Sequence, residues 1–266
     1  MKEEKKVVVI TGASSGIGLS TSEYFFKKGY VVYGLCRRKM DSETIKYISC
    51  DVTNLDQIKS AIEQIVKKEG KIDVLINNAG FGISGSVENQ KMEEIENQFK
   101  VNFFGAVNVT QQVLPIMRKQ GYGKILNTSS VASVIPIPFQ SFYSASKSSL
   151  DTWAKALRIE VKPFNIQVCN VLVGDTKTGF TGVRQKTDYS NEGVYAKTVE
   201  KSVAKMEHDE QNGKDPITVA KTYFKLAQKK KIPPTRVVGF SYKFLLLIKR
   251  FVSERFMLWV VSKLYS

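Results

Sequence analysis

The sequence predicts a doubly wound α/β fold around a mainly parallel, seven-stranded sheet with helices on both faces. Three observations carry this prediction. Short β-rich apolar runs alternate with longer amphipathic stretches, a glycine-rich turn joins the first strand to the first helix, and no repeat or low-complexity linker interrupts the pattern. Strands that alternate with helices pair in parallel through right-handed crossovers, which place helices on both faces of one sheet.

The elements follow in order. "KVVVIT" (6–11) is a strand, 16–28 a helix, "VVYGL" (31–35) a strand and "IKYISC" (45–50) a third. A helix at 54–69 leads to "DVLINN" (73–78), the fourth strand, and then to one long helix across 92–119. "GKILNTSS" (123–130) and "IQVCNVLV" (166–173) are strands, separated by a helix over 141–162. Residues 175–195 are polar and irregular, as suits a mobile loop at the carboxyl edge of the sheet. Helices at 196–212 and 216–230 precede a last strand, "TRVVG" (235–239). The whole, 1–266, reads as a single domain with a substrate loop over about 175–215 and an apolar C-terminal extension at 240–266.

Composition narrows the function. Forty Lys and Arg against 25 Asp and Glu give +15, which suits nucleic acid, an anionic membrane surface, or an anionic cofactor or substrate. The basic residues are dispersed, with small clusters at 37–39, 67–71 and 229–231, and no nucleic-acid module appears, so nucleic acid is not an expected partner. Cys36, Cys50 and Cys169 lie in or beside apolar runs and suit buried thiols in a reducing, cytoplasmic setting. The start, "MKEEKKVVVIT", has no apolar stretch of signal-peptide length, so neither secretion nor cleavage is expected. His208 stands among charges without a second His or Cys nearby, so no metal site is expected.

"TGASSGIG" (11–18) carries the first functional signal. Gly12 permits a tight turn, while Gly16 and Gly18 allow close approach of a phosphate and close packing of the helix. The helix start then offers N–H groups and a positive dipole end to a pyrophosphate. The spacing is a variant of the dinucleotide fingerprint, and its place between strand and helix makes the fold Rossmann-type. At the end of the second strand stand Cys36, Arg37 and Arg38 where NAD-preferring sites carry an acid. Two guanidiniums there suit a 2′-phosphate, and the expected cofactor is NADP(H).

With these residues in place, the chain resembles the short-chain dehydrogenase/reductase family over about residues 5–178. "TGASSGIG", "CDVT" (50–53), "NNAG" (77–80), "VNFFG" (101–105) and "NTSS" followed thirteen residues later by "YSASK" carry the resemblance. It implies cofactor contacts from Gly12, Ser14, Ser15, Gly16, Ile17 and Gly18 in the turn. Asp51 and Val52 would face the adenine, and Asn78, Ala79 and Gly80 lie beside the cofactor, with Asn77 bracing the sheet. Val173, Thr176 and Thr178 follow the sixth strand. The resemblance also implies a catalytic set of Asn102, Ser130, Tyr143 and Lys147, with Ser129 secondary. Tyr143 and Lys147 double as cofactor contacts. One departure stands out. The family's Pro-Gly after the sixth strand is replaced by Val173-Gly174-Asp175, which leaves that turn less fixed.

The chemistry follows from the residue types. Reduction of a ketone needs a proton at oxygen, and a phenol with an ordinary pKa near ~10 is a poor relay at neutral pH. Lys147, one helical turn after Tyr143, supplies a charge that favours the phenolate. Ser130 would donate to the substrate oxygen. Asn102 would order a water that links Lys147 to solvent. Singly, Ser130 could cap a turn, Asn102 could pair with backbone, and Asp51 could begin a helix. Jointly, in this order and spacing, coincidence is improbable.

The substrate is read from softer signals. "VASVIPIPFQSF" (131–142) is apolar and adjoins Ser130 and Tyr143, and Phe180, Val183, Tyr189 and Tyr195 recur in the expected lid. Such a cleft favours a bulky hydrophobic alcohol or ketone. "GDTKTGF" and the apolar tail resemble the lipid-acting branch, so a hydroxysteroid or bile acid is the leading expectation. A 3-oxoacyl, ketosphinganine or retinal-type carbonyl reductase is the alternative, and a non-catalytic NADPH sensor the reading from another class. In the tail, apolar residues at 244, 247, 248, 251 and 252 alternate with Lys249, Arg250 and Arg255. Packing on the protein body or on a second subunit is favoured there, with peripheral membrane contact as the second reading. The resemblance implies a homodimer or homotetramer.

Overall fold

The structure, a computed structural model, describes residues 5–179, 185–186 and 192–265. Phe180, Val183 and Tyr189 of the expected lid lie outside these residues, and Tyr195 is exposed. The strands are β1 (Val7–Thr11), β2 (Val31–Cys36), β3 (Lys46–Ser49), β4 (Val74–Asn77), β5 (Ile83–Ser84), β6 (Gly123–Ser130), β7 (Ile166–Val173), β8 (Gln185–Lys186) and β9 (Thr235–Val237). Seven of them form one sheet in the order β3-β2-β1-β4-β6-β7-β9, and every neighbouring pair is parallel. β5 and β8 make a separate parallel pair that the sequence pattern does not announce.

The helices are α1 (Gly16–Lys27), α2 (Leu55–Glu69), α3 (Met92–Phe99), α4 (Gly105–Gln120), α5 (Ser141–Glu160), α6 (Ala196–Gln211), α7 (Pro216–Gln228), α8 (Phe240–Ile248) and α9 (Glu254–Tyr265). Local chemistry sets their ends. Asn54 accepts from the Gln57 N–H at the start of α2, and Gly70 closes that helix in left-handed backbone at φ +72. Ile58, Ala61, Ile62 and Ile65 give α2 its buried stripe. Each isoleucine contributes about 1.5–3 kcal/mol when fully buried.

The strand residues alternate between two cores. Val7 and Val9 join the side that holds Ile58, Ile62, Val109 and Met117. Val8 and Ile10 join the side that holds Phe25, Val219, Tyr223 and Leu226. Strands buried on both faces need the near-continuous apolar runs seen in the sequence. One polar row crosses them. Asn77, Asn127 and Asn170 stand opposite one another on β4, β6 and β7. The Asn77 Nδ2 donates to Asn127 Oδ1 at 2.9 Å, and the Asn127 Nδ2 to Asn170 Oδ1 at 3.0 Å. The row reaches Thr110 of α4 at one end and the main-chain oxygen of Asp151 in α5 at the other.

The long helix expected across 92–119 is divided. A π-helical turn at Lys100–Phe104 separates α3 from α4. It turns Asn102 inward, where the side-chain amide donates to the Phe81 carbonyl and accepts from the Phe81 N–H, both at 2.9 Å. Gly105, just beyond, lies so close to Val52 that a Cβ would stand 2.7 Å from its Cγ2. Inserted π turns recur at functional sites.

Candidate active site

The sheet order reverses between β1 and β4, whose following helices α1 and α4 pack on opposite faces. Open α/β sheets bind ligands at such a switch point. Gly12 begins the turn at φ +65, and a Cβ on it would lie 2.9 Å from the Ala79 Cα. Gly18 faces back into the turn, where a Cβ would meet the Gly12 oxygen at 2.1 Å. Gly16, at φ +53, lies under Thr178, whose Cβ is 3.3 Å from the position of an added Cβ. Ser15 precedes α1 in extended backbone with no side-chain cap, and no acid stands in the first turn. An anion seated there satisfies the first N–H groups of the helix. The residues present therefore fit the phosphates of a dinucleotide.

Behind the turn, Asn78 ties β1 to β4. Its backbone N–H donates to Thr11 Oγ1 at 2.9 Å, and its side chain to the Thr11 carbonyl at 3.1 Å and that of Gly12 at 3.3 Å. The wire continues through Thr128 Oγ1, which donates to Asn78 Oδ1 at 3.2 Å and pairs with the buried Tyr223 hydroxyl at 2.7 Å. Asn78 is thus a brace of the turn as well as its neighbour. Beside it, the exposed Arg38 donates to the carbonyl oxygen and the hydroxyl of Ser14, at 3.2 and 3.0 Å. The Asp51 carboxylate accepts from the backbone and hydroxyl of Thr53, both at 2.8 Å. The Val52 side chain is buried in the core. Gly105 packs against that side chain.

α5 brings the other candidates together. Lys147 is buried, and its ammonium donates to the Thr128 carbonyl at 2.9 Å. It stands 5.8 Å from the centroid of the Tyr143 ring, one helical turn earlier. A Cβ on Gly80 would lie 3.3 Å from Lys147 Nζ and 3.0 Å from Asn102 Oδ1, so Gly80 leaves the space in which these two side chains converge. Burial pulls the Lys147 pKa down to about 8, opposed by the charge of Asp151. The Ser130 hydroxyl oxygen accepts from the Ala132 N–H at 3.1 Å. That turn-capping bond uses a lone pair and leaves the hydroxyl proton available for donation.

Several supporting residues carry no sequence signal. Ser133 Oγ is within 2.7 Å of both the Asp151 carboxylate and the Ser130 carbonyl, so it fastens the turn after β6 to α5. Ser148 of α5 donates to the Ser133 carbonyl at 2.7 Å. Asp151 lies one turn beyond Lys147, and burial raises its carboxyl pKa against the hydrogen bond from Ser133. Phe139 adopts left-handed backbone at φ 60, with its carbonyl held by the Gly85 N–H at 2.9 Å.

The turn after β7 is firmer than the missing proline suggests. The Thr176 hydroxyl donates to the Gly174 carbonyl at 3.0 Å, and Thr176 pairs with Lys214 in a β-bridge. The Lys177 N–H donates to the Lys214 carbonyl at 2.9 Å, and the Lys214 N–H to that of Asp175 at 3.0 Å. Tyr242 donates its hydroxyl to the Asp175 carboxylate. Val173 is buried in the core, so of this segment Thr178 is the residue that overhangs the glycine turn.

Residues 6–188 match the short chain dehydrogenase family. The chain is 40% identical over 238 residues to a 3-ketodihydrosphingosine reductase of Bacteroides thetaiotaomicron, covering 89% of this chain and 88% of that protein. It is 38% identical over 197 residues to a 3-oxoacyl-[acyl-carrier-protein] reductase of Thermotoga maritima, covering 68% of this chain and 78% of the relative. The crystal structure of a short-chain dehydrogenase from Streptomyces avermitilis superposes with a TM-score of 0.82, at 28% identity, over 94% of this chain and 93% of that one. The glycine turn at the switch point, the α5 pair of Tyr143 and Lys147, and this breadth of similarity agree: the chain is an oxidoreductase that belongs to the short-chain dehydrogenase family.

Proposed function

We propose that the protein is an NADPH-dependent reductase of a keto group on a long-chain lipid, of the 3-ketosphinganine or 3-oxoacyl class. The observation that carries the reaction type is the burial of Lys147 against Tyr143 beside a phosphate-ready glycine turn. The substrate class is supported by the names of the two relatives, both 3-keto reductases, and by the apolar segment between Ser130 and Tyr143. Neither name is that of a steroid enzyme, so the hydroxysteroid expectation gives way to the keto-lipid alternative.

In this reading the substrate oxygen sits between the Ser130 hydroxyl and the Tyr143 phenol. Bound NADPH supplies a hydride. Ser130 donates a hydrogen bond to the oxygen, and Tyr143 delivers its proton there as negative charge develops. The Lys147 ammonium stabilises the phenolate left behind. Asn102 fixes the Phe81 backbone beside the lysine, and we assign the proton path to solvent to this corner. Arg38, already beside Ser14, takes the 2′-phosphate.

The proton inventory gives a pH dependence. Lys147 carries its charge below about 8 and loses it above. Reductive kcat is therefore expected to fall as pH rises through that value. Because the Asp151 charge holds the lysine pKa up, Asp151→Asn is expected to move the alkaline limb to lower pH. A limb that stays in place would exclude Asp151 from tuning the site.

The reading is tested by following NADPH oxidation with 3-ketodihydrosphingosine, a carrier-linked 3-oxoacyl thioester, a keto-steroid and small polar ketones. Preferred turnover of either long-chain ketone supports it, and turnover restricted to steroids or to small polar carbonyls refutes it. In the same assay Arg38→Ser is expected to raise the NADPH KM by about 10–100-fold, the loss of one charged hydrogen-bonding partner, with little effect on NADH. Equal effects on both cofactors would remove the 2′-phosphate from Arg38.

A further inference from the structure

The C-terminal helices present an apolar surface to solvent. The inner faces of α8 and α9, with Leu245, Leu246, Met257 and Val261, pack around Ile135 in the segment between Ser130 and Tyr143. Outward stand Phe240, Phe244, Leu247, Phe251, Phe256 and Trp259, of which Phe240 and Phe251 are 81% and 82% exposed. A patch of this kind on a protein surface marks an interaction site.

We propose that this surface docks onto an anionic lipid bilayer and lies in its interface. Charge selects that occupant. Between 240 and 265 the chain carries Lys243, Lys249, Arg250, Arg255 and Lys263 against the single acid Glu254. Two copies joined by a two-fold axis through this patch would set these cations against one another. A surface of anionic headgroups complements them, and aromatic rings interleaved with Lys and Arg are the composition of an interfacial helix. With nine and twelve residues, α8 and α9 are far too short to span, and among the described residues no helix is long and apolar enough to cross a membrane.

The surface sits beside the candidate site. Tyr242 of α8 holds the Asp175 carboxylate and covers Gly174, where a Cβ would meet the ring at 2.1 Å. Ile135 links the same tail to the Ser130–Tyr143 segment. The docking helices thus touch both the turn after β7 and the Ser130–Tyr143 segment, which sets the candidate site next to the headgroup layer. The proposal rests on the tail and goes beyond the keto-lipid reading; its test measures binding, not turnover.

The full chain is sedimented with extruded phosphatidylcholine vesicles, with and without phosphatidylglycerol, at low and high salt. The expected result is binding to the anionic vesicles that weakens with salt, and a blue shift of the fluorescence lost in Trp259→Phe. Phe244→Asp/Phe251→Asp, with both positions exposed and folding checked by circular dichroism and NADPH affinity, is expected to lower the bound fraction about tenfold. Absence of binding at low salt, or equal binding by the folded double variant, overturns the proposal. So does a double variant that changes only the oligomeric state in analytical ultracentrifugation, because the patch then pairs two copies.

Discussion

Tyr143→Phe is expected to lower kcat for carbonyl reduction by about 10²–10⁴-fold, the usual contribution of a positioned general acid. The substitution removes one oxygen and keeps the ring. Lys147 stays 5.8 Å from the ring centroid and keeps its bond to the Thr128 carbonyl, so the local packing persists. The glycine turn, which lies on other elements, is untouched. NADPH affinity should therefore remain close to that of the parent, as read by fluorescence titration. A variant that retained most of its turnover would remove the phenol from the reaction. One that lost NADPH binding in parallel would show that Tyr143 acts through the cofactor pocket.

Gly18→Ala is expected to have the second largest effect, and its signature is the reverse. An alanine Cβ there would stand 2.1 Å from the Gly12 oxygen, 2.7 Å from Asn78 Nδ2 and 2.8 Å from the Gly12 carbonyl carbon. Two of these neighbours are backbone, and Gly12 is itself wedged against Ala79. The helix start must move away from the turn. NADPH affinity is expected to fall about 10²-fold, as is typical when a binding group is misplaced by an ångström. Stability should drop by about 1–3 kcal/mol through overpacking. Gly29→Ala is the control. Gly29, unlike Gly18, has positive φ, and open space surrounds it, so its replacement should cost stability through the backbone without altering cofactor affinity. Equal affinities for the two variants would show that the close packing at Gly18 does not shape the phosphate site.

Much of this was legible in the sequence because it rests on short-range patterns. Runs such as "VVVIT" and "IQVCNVLV" declare strands buried on both faces, and the four-residue step from Tyr143 to Lys147 declares a shared helix face. Contacts distant in sequence were not legible. The turn after β7 lacks a proline, yet Lys214 and Tyr242 hold it from far along the chain. The π turn at Lys100–Phe104 follows from the fit of Asn102 to Phe81, which helical periodicity alone does not encode. Asp151 and Ser133 look like ordinary helix and turn residues until folding places them within 2.7 Å of each other. The tail was divided. Of the stripe expected to pack, Phe244, Leu247, Ile248 and Phe251 are exposed, while Leu245, Leu246, Met257 and Val261 pack on the body instead.

The asparagine row has a bearing on how the sheet finds its alignment. Apart from Asn77, Gln167 and Asn170, β4 and β7 are apolar strands, so sliding either past its neighbour changes little in its own hydrophobic content. Asn77, Asn127 and Asn170 remove that degeneracy. A slip by one residue turns an amide toward the opposite, apolar side of the sheet, where it strands a buried polar group at a cost of about 1–3 kcal/mol. The three residues therefore behave as a key that fixes the alignment of these strands. Exchange of any one of them leaves its neighbours' polar groups unmet, and exchange of all three still removes the donors to the Thr110 hydroxyl and the Asp151 carbonyl. The row thereby ties β6, which ends at Ser130, and α5, which carries Lys147, to β4 beside the glycine turn.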